Sequence, residues 1–400
     1  MEKIRIVDLN NQNPLNYSSG GVGLTSYNEN CALAKHGIDI TTICYSDKNF
    51  IKKSPMGRII AIKVPDNEIA KLIIYPIRAA LLAKKLDPDI IVGEGPGNLG
   101  SSLIATLIKK KNTLHIERAH GTHIELIESM PKKNLHMKTL GRLMAEIVER
   151  LQYMSADYAI CVSKSVKKEL MEHYKMKDDN IFVVFSGTNT SVYKPLSYNK
   201  RAALRMRLGF KSDLKYLLYV GTDPYRKGLD IALRTILLLK NEKVHLNIIG
   251  VNQKAGIEFI NREGIDKEVL KNVCFIGNVK DEIKLKYYQA SDLLFFPSRY
   301  EGISLTTLDA LACGLPMIIS KKVGADQIAG NKEGVAVVRN FNPKDYAQEI
   351  RKQVYKNNST RSAARMLALK YDWKRSADKY YRVILKIAKE HSKQINYNKK

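Results

Sequence analysis

Residues 299–320 read RYEGISLTTLDALACGLPMIIS. The stretch before them, DLLFFPS (292–298), has the character of a buried strand, and PMIIS (316–320) reads as the next one. Helical pattern runs over 305–313; Gly314 stops it and Pro316 forbids its continuation. A strand, a helix and a strand in succession argue a parallel sheet. A helix that only packs on such a sheet needs no acid, yet this stretch holds Glu301 and Asp309. Glu301 precedes the helix, in the exit loop of the strand, where it can hang into a cleft. The amides near Ser304, Leu305 and Thr306 make a positive helix end suited to a diphosphate. Asp309 lies about one turn into the helix, where a carboxylate can accept two hydrogen bonds from a ribose diol.

The rest of the chain repeats this alternation. Its 400 residues, 44% hydrophobic and 26% charged, are too many for one ordinary core and predict two soluble domains. IRIVDL, IDITTICY, DIIVGEG, TLHIERAHG and YAICVS read as strands spaced by helical pattern. The pattern restarts near residue 215 with KYLLYVG, VHLNIIG, VCFIGNV, DLLFFPS, PMIIS and GVAVV. FSGTNTSVYKP (185–195) has the Gly, Asn and Pro of a linker. We therefore expect an α/β protein of two doubly wound parallel-sheet domains, over residues 1–193 and 194–375. In such sheets ligands bind outside the carboxyl ends of the strands, so two facing sheets would place the site in the cleft between them.

Three other loops follow strands. In SSGGVGLTSYN (18–28), Gly20, Gly21 and Gly23 precede a helix, where bare backbone can approach a ligand, although G-x-G-x-x-G is not met. In RAHGTH (118–123), His120 stands at a strand end beside Gly121, and His123 is its partner or a bystander. No further residues have zinc-ligand spacing. In YVGTDPYRKGLDIAL (219–233), Arg226 and Lys227 are adjacent loop cations framed by Gly221 and Gly228. Arginine forks onto phosphate oxygens and lysine adds a mobile charge. DPD (87–89) is the only Asp-x-Asp, and its central proline makes it a turn rather than a metal ligand. The five cysteines form no C-x-x-C pair and read as reduced thiols.

EGISLTTLDALACGLP (301–316) resembles the E-x7-E motif of retaining glycosyltransferases of the glycogen-synthase-like family 4. GGVG, RAHG, ADYAICVS (156–163), SGTNTSVYKP, FIGNV (275–279) and YDWKRSADKYYRVI (371–384) resemble further family segments, in order, over nearly the whole chain. The resemblance implies the GT-B fold, two facing Rossmann-like domains, with a last helix over about 376–395 crossing back onto the first. It implies that Glu301 contacts the donor sugar and Asp309 holds the ribose. Arg226 and Lys227 neutralise the diphosphate, together with the amides at Ser304, Leu305 and Thr306. Gly21 and Gly23 let backbone reach the phosphates or the acceptor. The residues around Asn278 line the base pocket, and His120 lies beside the transferred sugar. Three positions depart from the family: Asp309 for the usual Glu, Thr222 where many members have Arg, and Ser304 for a Gly.

The expected reaction is transfer of a hexose from a nucleoside-diphosphate sugar, UDP before GDP, to a glycan or lipid-linked glycan. It would proceed with retention, no metal and no cofactor. The net charge of +26 implies attraction to something anionic, and residues 351–400 alone carry 15 basic and three acidic side chains. The stretches 70–85 and 130–151 mix apolar and basic residues, as either interfacial helices or helices packed on a sheet do. The first reading adds an anionic membrane surface as partner. No apolar run is long enough to span a membrane or to act as a signal peptide, which predicts a cytoplasmic protein, peripheral to the membrane if that surface is used. Two alternatives stand beside the transferase: a sugar-nucleotide epimerase of the same fold, and a basic nucleic-acid-binding protein. The second has no zinc-finger, recognition-helix or RNP-like motif behind it, so nucleic acid is not an expected partner.

Overall fold

The computed structural model of the chain describes residues 4–10, 12, 13, 21–65, 67, 70–95, 100–130, 139–324, 333–354 and 359–398. The chain divides into two compact units. Unit 1 comprises Met1–Glu128, Lys132–Gly187 and Trp373–Lys400; unit 2 comprises Ser129–Pro131 and Thr188–Asp372.

Unit 1 is built on an eight-stranded sheet of β1 (Arg5–Leu9), β2 (Asp39–Ser46), β3 (Phe50–Ser54), β4 (Gly57–Lys63), β5 (Ile90–Gly93), β6 (Leu114–Ala119), β7 (Tyr158–Cys161) and β8 (Ile181–Val183). The order is β3-β4-β2-β1-β5-β6-β7-β8, all neighbours parallel except the β3–β4 hairpin. Both faces are covered, so alternate residues of one strand enter different cores. Ile6 packs with Ile90, Ile116 and Ile160 under Tyr380, Ile384 and Ile387 of the terminal helix Trp373–Asn398. Val7 and Leu9 face the other way, against Tyr75, Ala79 and Ala83 of the helix Tyr75–Leu86. Each such aliphatic side chain stabilises by about 1.5–3 kcal/mol when fully buried.

Unit 2 carries six parallel strands: β9 (Lys215–Val220), β10 (Val244–Ile249), β11 (Val273–Gly277), β12 (Leu293–Phe296), β13 (Met317–Ser320) and β14 (Val335–Val338). Their order is β11-β10-β9-β12-β13-β14. Leu217, Tyr219, Leu293 and Phe295 pack against Leu229, Leu233 and Ile236 on one face. Leu218, Leu294 and Phe296 pack against Leu308 and Leu311 on the other. The helix carrying those two leucines spans Leu305–Ala312. It ends where Gly314 takes φ +65° and donates to Leu311 O at 2.9 Å, and Leu315 donates to Ala310 O at 2.8 Å.

Three elements differ from the sequence reading. The helix over Gly21–Lys35 takes in glycines expected to precede it, so Gly21 and Gly23 lie in its first turn and not in a loop ahead of it. First-turn amides have no partner within the helix, and there Gly23 N donates to Gln12 Oε1 at 2.9 Å. Gly20 lies outside the described residues. The β3–β4 hairpin is not expected from sequence because FIKKS is an exposed edge strand with paired lysines. Strand β8 is not expected because it is only three residues long.

Candidate active site

The order of the second sheet reverses between β9 and β12: the chain runs outward through β10 and β11 on one side, through β13 and β14 on the other. Crossover helices leave opposite faces of the sheet at such a point and open a crevice at the strand ends. The loops leaving β9 and β12 border it. They carry Arg226 and Lys227 on one side, Glu301 and Ser304 on the other.

These side chains meet. Glu301 Oε1 accepts from Arg226 Nη1 at 2.8 Å, from Ser298 Oγ at 3.0 Å and from Lys227 Nζ at 2.5 Å. Arg226 also reaches Asp223 Oδ2 at 3.1 Å and Tyr300 O at 3.2 Å. Lys227 Nζ lies 5.0 Å over the Phe296 ring. Burial pulls the Lys227 ammonium below its ordinary pKa, with Glu301 acting against that pull. Two glycines hold the β9 loop down. Gly228 has φ +75°, and a Cβ there would lie 2.2 Å from Pro297 O; a Cβ on Gly221 would lie 2.8 Å from Lys227 Cγ.

Arg299 braces the same loop from beneath. It forks onto Asp230 with two bonds of 2.7 Å, donates to Tyr225 O at 2.6 Å and lies 4.0 Å over the Tyr225 ring. Its backbone amide donates to Arg226 O at 2.7 Å. Sequence reading assigns Arg299 no role, because its partners lie about seventy residues earlier.

Ser304 is the N-cap of Leu305–Ala312, and its buried Oγ has no hydrogen-bond partner among the described residues. Leu305 and Thr306 open the helix and are half-buried. Asp309 is buried, and its Oδ1 accepts from Thr188 Oγ1 at 2.7 Å. Burial raises its carboxyl to about 6, opposed by Lys284 and by the Thr188 bond. One carboxylate oxygen expected to face a ribose is thus already held by Thr188, which sequence reading does not single out. Thr222 is exposed, and Asn278 lies exposed after β11, two strands from β9.

Gly21, Gly23 and His120 belong to unit 1. His120 is in hydrogen-bond contact with Glu94, 2.7 Å from Nε2 to Oε2. Sequence reading misses Glu94 within DIIVGEG; its signal is an acid between two glycines at a strand end. His123 begins a helix and donates its amide to Glu149. In the Asp-x-Asp turn, Asp87 takes φ +50° and pairs with Lys110 at 2.8 Å, and Asp89 accepts from Arg5 N at 2.8 Å. Among the described residues no group of three or more His, Cys, Asp or Glu is placed to hold a metal ion. The cysteines are free thiols; Cys44, Cys161 and Cys313 are buried and Cys274 is exposed.

Comparison with known proteins follows the same division. Glycosyltransferase Family 4 matches residues 19–192, and Glycosyl transferases group 1 matches residues 200–367. An uncharacterized glycosyltransferase of Methanocaldococcus jannaschii is 25% identical over 270 residues, 63% of this chain and 68% of that one. Sucrose-phosphate synthase from Thermosynechococcus elongatus superimposes with a TM-score of 0.79 at 18% identity, over 96% of this chain and 99% of that one. Anabaena HepE in complex with UDP and glucose does so with a TM-score of 0.72 at 16% identity, over 96% and 100%. The two structural likenesses identify the GT-B fold. Matched half by half by these two descriptions, with the acids of its E-x7-E motif at the switch point of the second sheet, this chain belongs to the family 4 glycosyltransferases.

Proposed function

We propose that this glycosyltransferase moves a hexose from a nucleoside-diphosphate sugar, a UDP-sugar before a GDP-sugar, to a glycan or lipid-linked glycan, with retention and without a metal. The observation that carries the reading is the convergence of Arg226 and Lys227 on Glu301 beside the helix end at Ser304. The chemistry follows from charge. Departure of the diphosphate builds negative charge on its oxygens, which two cations and a helix N-terminus stabilise without a metal ion. Glu301 contacts the sugar, Asp309 the ribose, and His120 the transferred hexose. The acceptor oxygen attacks from the face the diphosphate leaves; the bond from C1 to the phosphate oxygen breaks, and the acceptor's proton passes to that oxygen. The UDP and glucose bound to the Anabaena neighbour support the choice of donor.

The first test is binding and slow hydrolysis across UDP-, GDP- and ADP-sugars, with wild type beside E301A and K227A. One donor, hydrolysed by wild type and lost in both variants, is the expected result. No donor bound by wild type would sink the reading. Early-product NMR showing an inverted anomer would remove retention, and activity lost in EDTA and restored by manganese would remove metal independence.

A lipid-linked acceptor has its own support. More than half of the strongly exposed large apolar side chains among the described residues lie on three helical segments of unit 1 that neighbour one another. Leu72, Ile73, Ile77 and Leu81 lie on Ala70–Leu86, Leu107 on Ser101–Ile108, and Leu143, Ile147, Leu151 and Met154 on Thr139–Ser155. Lys71, Arg78, Lys84 and Lys85 accompany the first set. An apolar face with basic neighbours suits the headgroup region of an anionic leaflet. No described helix is long and apolar enough to cross a membrane. Co-sedimentation with vesicles of anionic lipid at low salt is expected, reduced by L72S/L81S; failure to bind such vesicles at low salt would count against it.

A further inference from the structure

The first sheet also reverses its order, between β1 and β5, and Glu94 is the residue that leaves β5 there. Its amide donates to Leu9 O at 3.1 Å, which fixes it beside the end of β1. The next residue, Gly95, has φ +57°, and a Cβ on it would lie 3.1 Å from Arg118 O and 3.5 Å from His120 N. The bare backbone of Gly95 is what lets the β5 exit come against the β6 exit, and so lets Glu94 reach His120. Glu94 is 2% exposed and the His120 side chain 12%.

The charges around the pair decide its protonation. Arg118, on β6, is buried and gives Nε and Nη2 to the two oxygens of Glu29, at 2.9 and 2.5 Å. Its remaining bonds go to Ile160 O and Val184 O, and the Tyr380 ring of the terminal helix lies 5.5 Å from it. Its charge is therefore matched by Glu29, from the helix Gly21–Lys35. Asp8 on β1 is buried with Ser26, Asn30 and Thr42 and lies close enough to repel a charge on Glu94. Glu117 is in contact with His115 and Ser102. Among the described residues no cation is left over for Glu94. Burial, then Glu29, push its carboxyl far above the ordinary range, with Arg118 opposing; burial, then Arg118, push His120 down to about 3. Both shifts favour the neutral pair over the ion pair, so one proton lies between them. It belongs to the carboxylic acid: Asp8, the other side chain in hydrogen-bond reach of Glu94, accepts from Ser26, Asn30 and Thr42 at Oδ2, so its own raised proton sits on Oδ1 and is donated to Glu94, which leaves the Glu94 O–H for His120 Nε2.

We propose that Glu94 is a positioning residue: as a neutral acid it donates a hydrogen bond to His120 Nε2, sets the ring plane and keeps the ring proton on Nδ1. His120 then offers a hydrogen-bond donor, not an acceptor, to an oxygen of a bound sugar. This role rests on the reading that His120 faces the transferred hexose.

The test has one arm that needs no donor. Long-range proton–nitrogen correlation on the full chain labelled at histidine nitrogens reads the tautomer, with His120 assigned by its loss in H120Q. The Nδ1–H tautomer is expected in wild type at pH 7. It is expected again in E94Q, whose amide keeps a donor in place, and is lost in E94A. An imidazolium or an Nε2–H tautomer in wild type overturns the proposal, as does an unchanged tautomer in E94A. The second arm is donor hydrolysis. E94Q is expected within about threefold of wild type. E94A is expected to lose kcat by on the order of tenfold to a hundredfold with KM little changed, and E94A/H120Q to be no worse than H120Q. E94Q as poor as E94A would mean that charge, not a neutral donor, is needed, and would overturn it. H120Q hydrolysing like wild type would remove His120 from the reaction and the catalytic role of Glu94 with it, while the tautomer stands or falls by its own readout.

Discussion

Lys227 Nζ and Arg226 Nη1 lie 2.5 and 2.8 Å from the same atom, Glu301 Oε1. In this arrangement the carboxylate occupies the two cations that a diphosphate would engage. Replacing Glu301 by Gln leaves the shape and releases both charges. E301Q is therefore expected to bind a free nucleoside diphosphate at least as tightly as wild type, yet to turn over the nucleotide sugar on the order of a hundredfold more slowly. Isothermal titration with the diphosphate, beside steady-state rates, separates the two effects. Weakened diphosphate binding in E301Q would show that Glu301 orients the cations rather than occupies them.

Arg299 tests the loop itself. Its bidentate fork on Asp230 and its stacking on Tyr225 cannot be reproduced by lysine. R299K is expected to weaken donor affinity by about tenfold and to lower the melting temperature by several degrees, because Arg226 and Lys227 lose the frame that holds them. Donor titration and thermal unfolding measure both. An unchanged affinity would make the clamp a matter of stability alone.

Asp309 gives a pH signature. Its folded pKa, about 6, lies above the ordinary 3.8, so the native state holds this proton more tightly than the unfolded one. Stability from this group is fully present below about pH 4 and is lost as pH rises through 6. D309N keeps an oxygen for Thr188 Oγ1 and has no charge to bury. Relative to wild type it should gain about 1–2 kcal/mol between pH 5 and pH 8. Chemical unfolding at the two pH values reads the difference; a constant offset would contradict it.

In unit 1 the Glu29–Arg118 pair is buried, so removing one member should be worse than removing both. E29A leaves a guanidinium without its counter-charge and should cost about 3–5 kcal/mol. E29L/R118M should cost less. Trp373, the chain's single tryptophan, lies in unit 1 and reports its unfolding in urea. A double variant as unstable as E29A would show that the carbonyl contacts of Arg118 matter more than the charge pair.

Gly228 is a backbone requirement rather than a chemical one. With φ +75° and only 2.2 Å between an added Cβ and Pro297 O, G228A must move the loop or the strand end. A loss of about 2 kcal/mol or more is expected, together with weaker donor binding. Wild-type melting and donor affinity in G228A would show that the loop can shift freely.

The six strands of unit 2 are legible in the sequence because fully buried parallel strands are continuous apolar runs, and the end of Leu305–Ala312 because Gly314 and Pro316 punctuate it. The hairpin of β3 and β4 is not, since an exposed edge strand needs no apolar pattern, and glycines hide the first turn of Gly21–Lys35. Of the candidate residues, local sequence determined which loops hold Glu301, Arg226, Lys227 and His120, because a strand end followed by glycines or a helix start is a local property. It did not determine their partners. Arg226 meets Glu301 across 75 residues, Arg299 meets Asp230 across 69, Thr188 meets Asp309 across 121 and Glu94 meets His120 across 26. Those pairings, and the protonation they impose, depend on strand order and burial, which arise only when distant segments of each unit pack into its own low-dielectric interior.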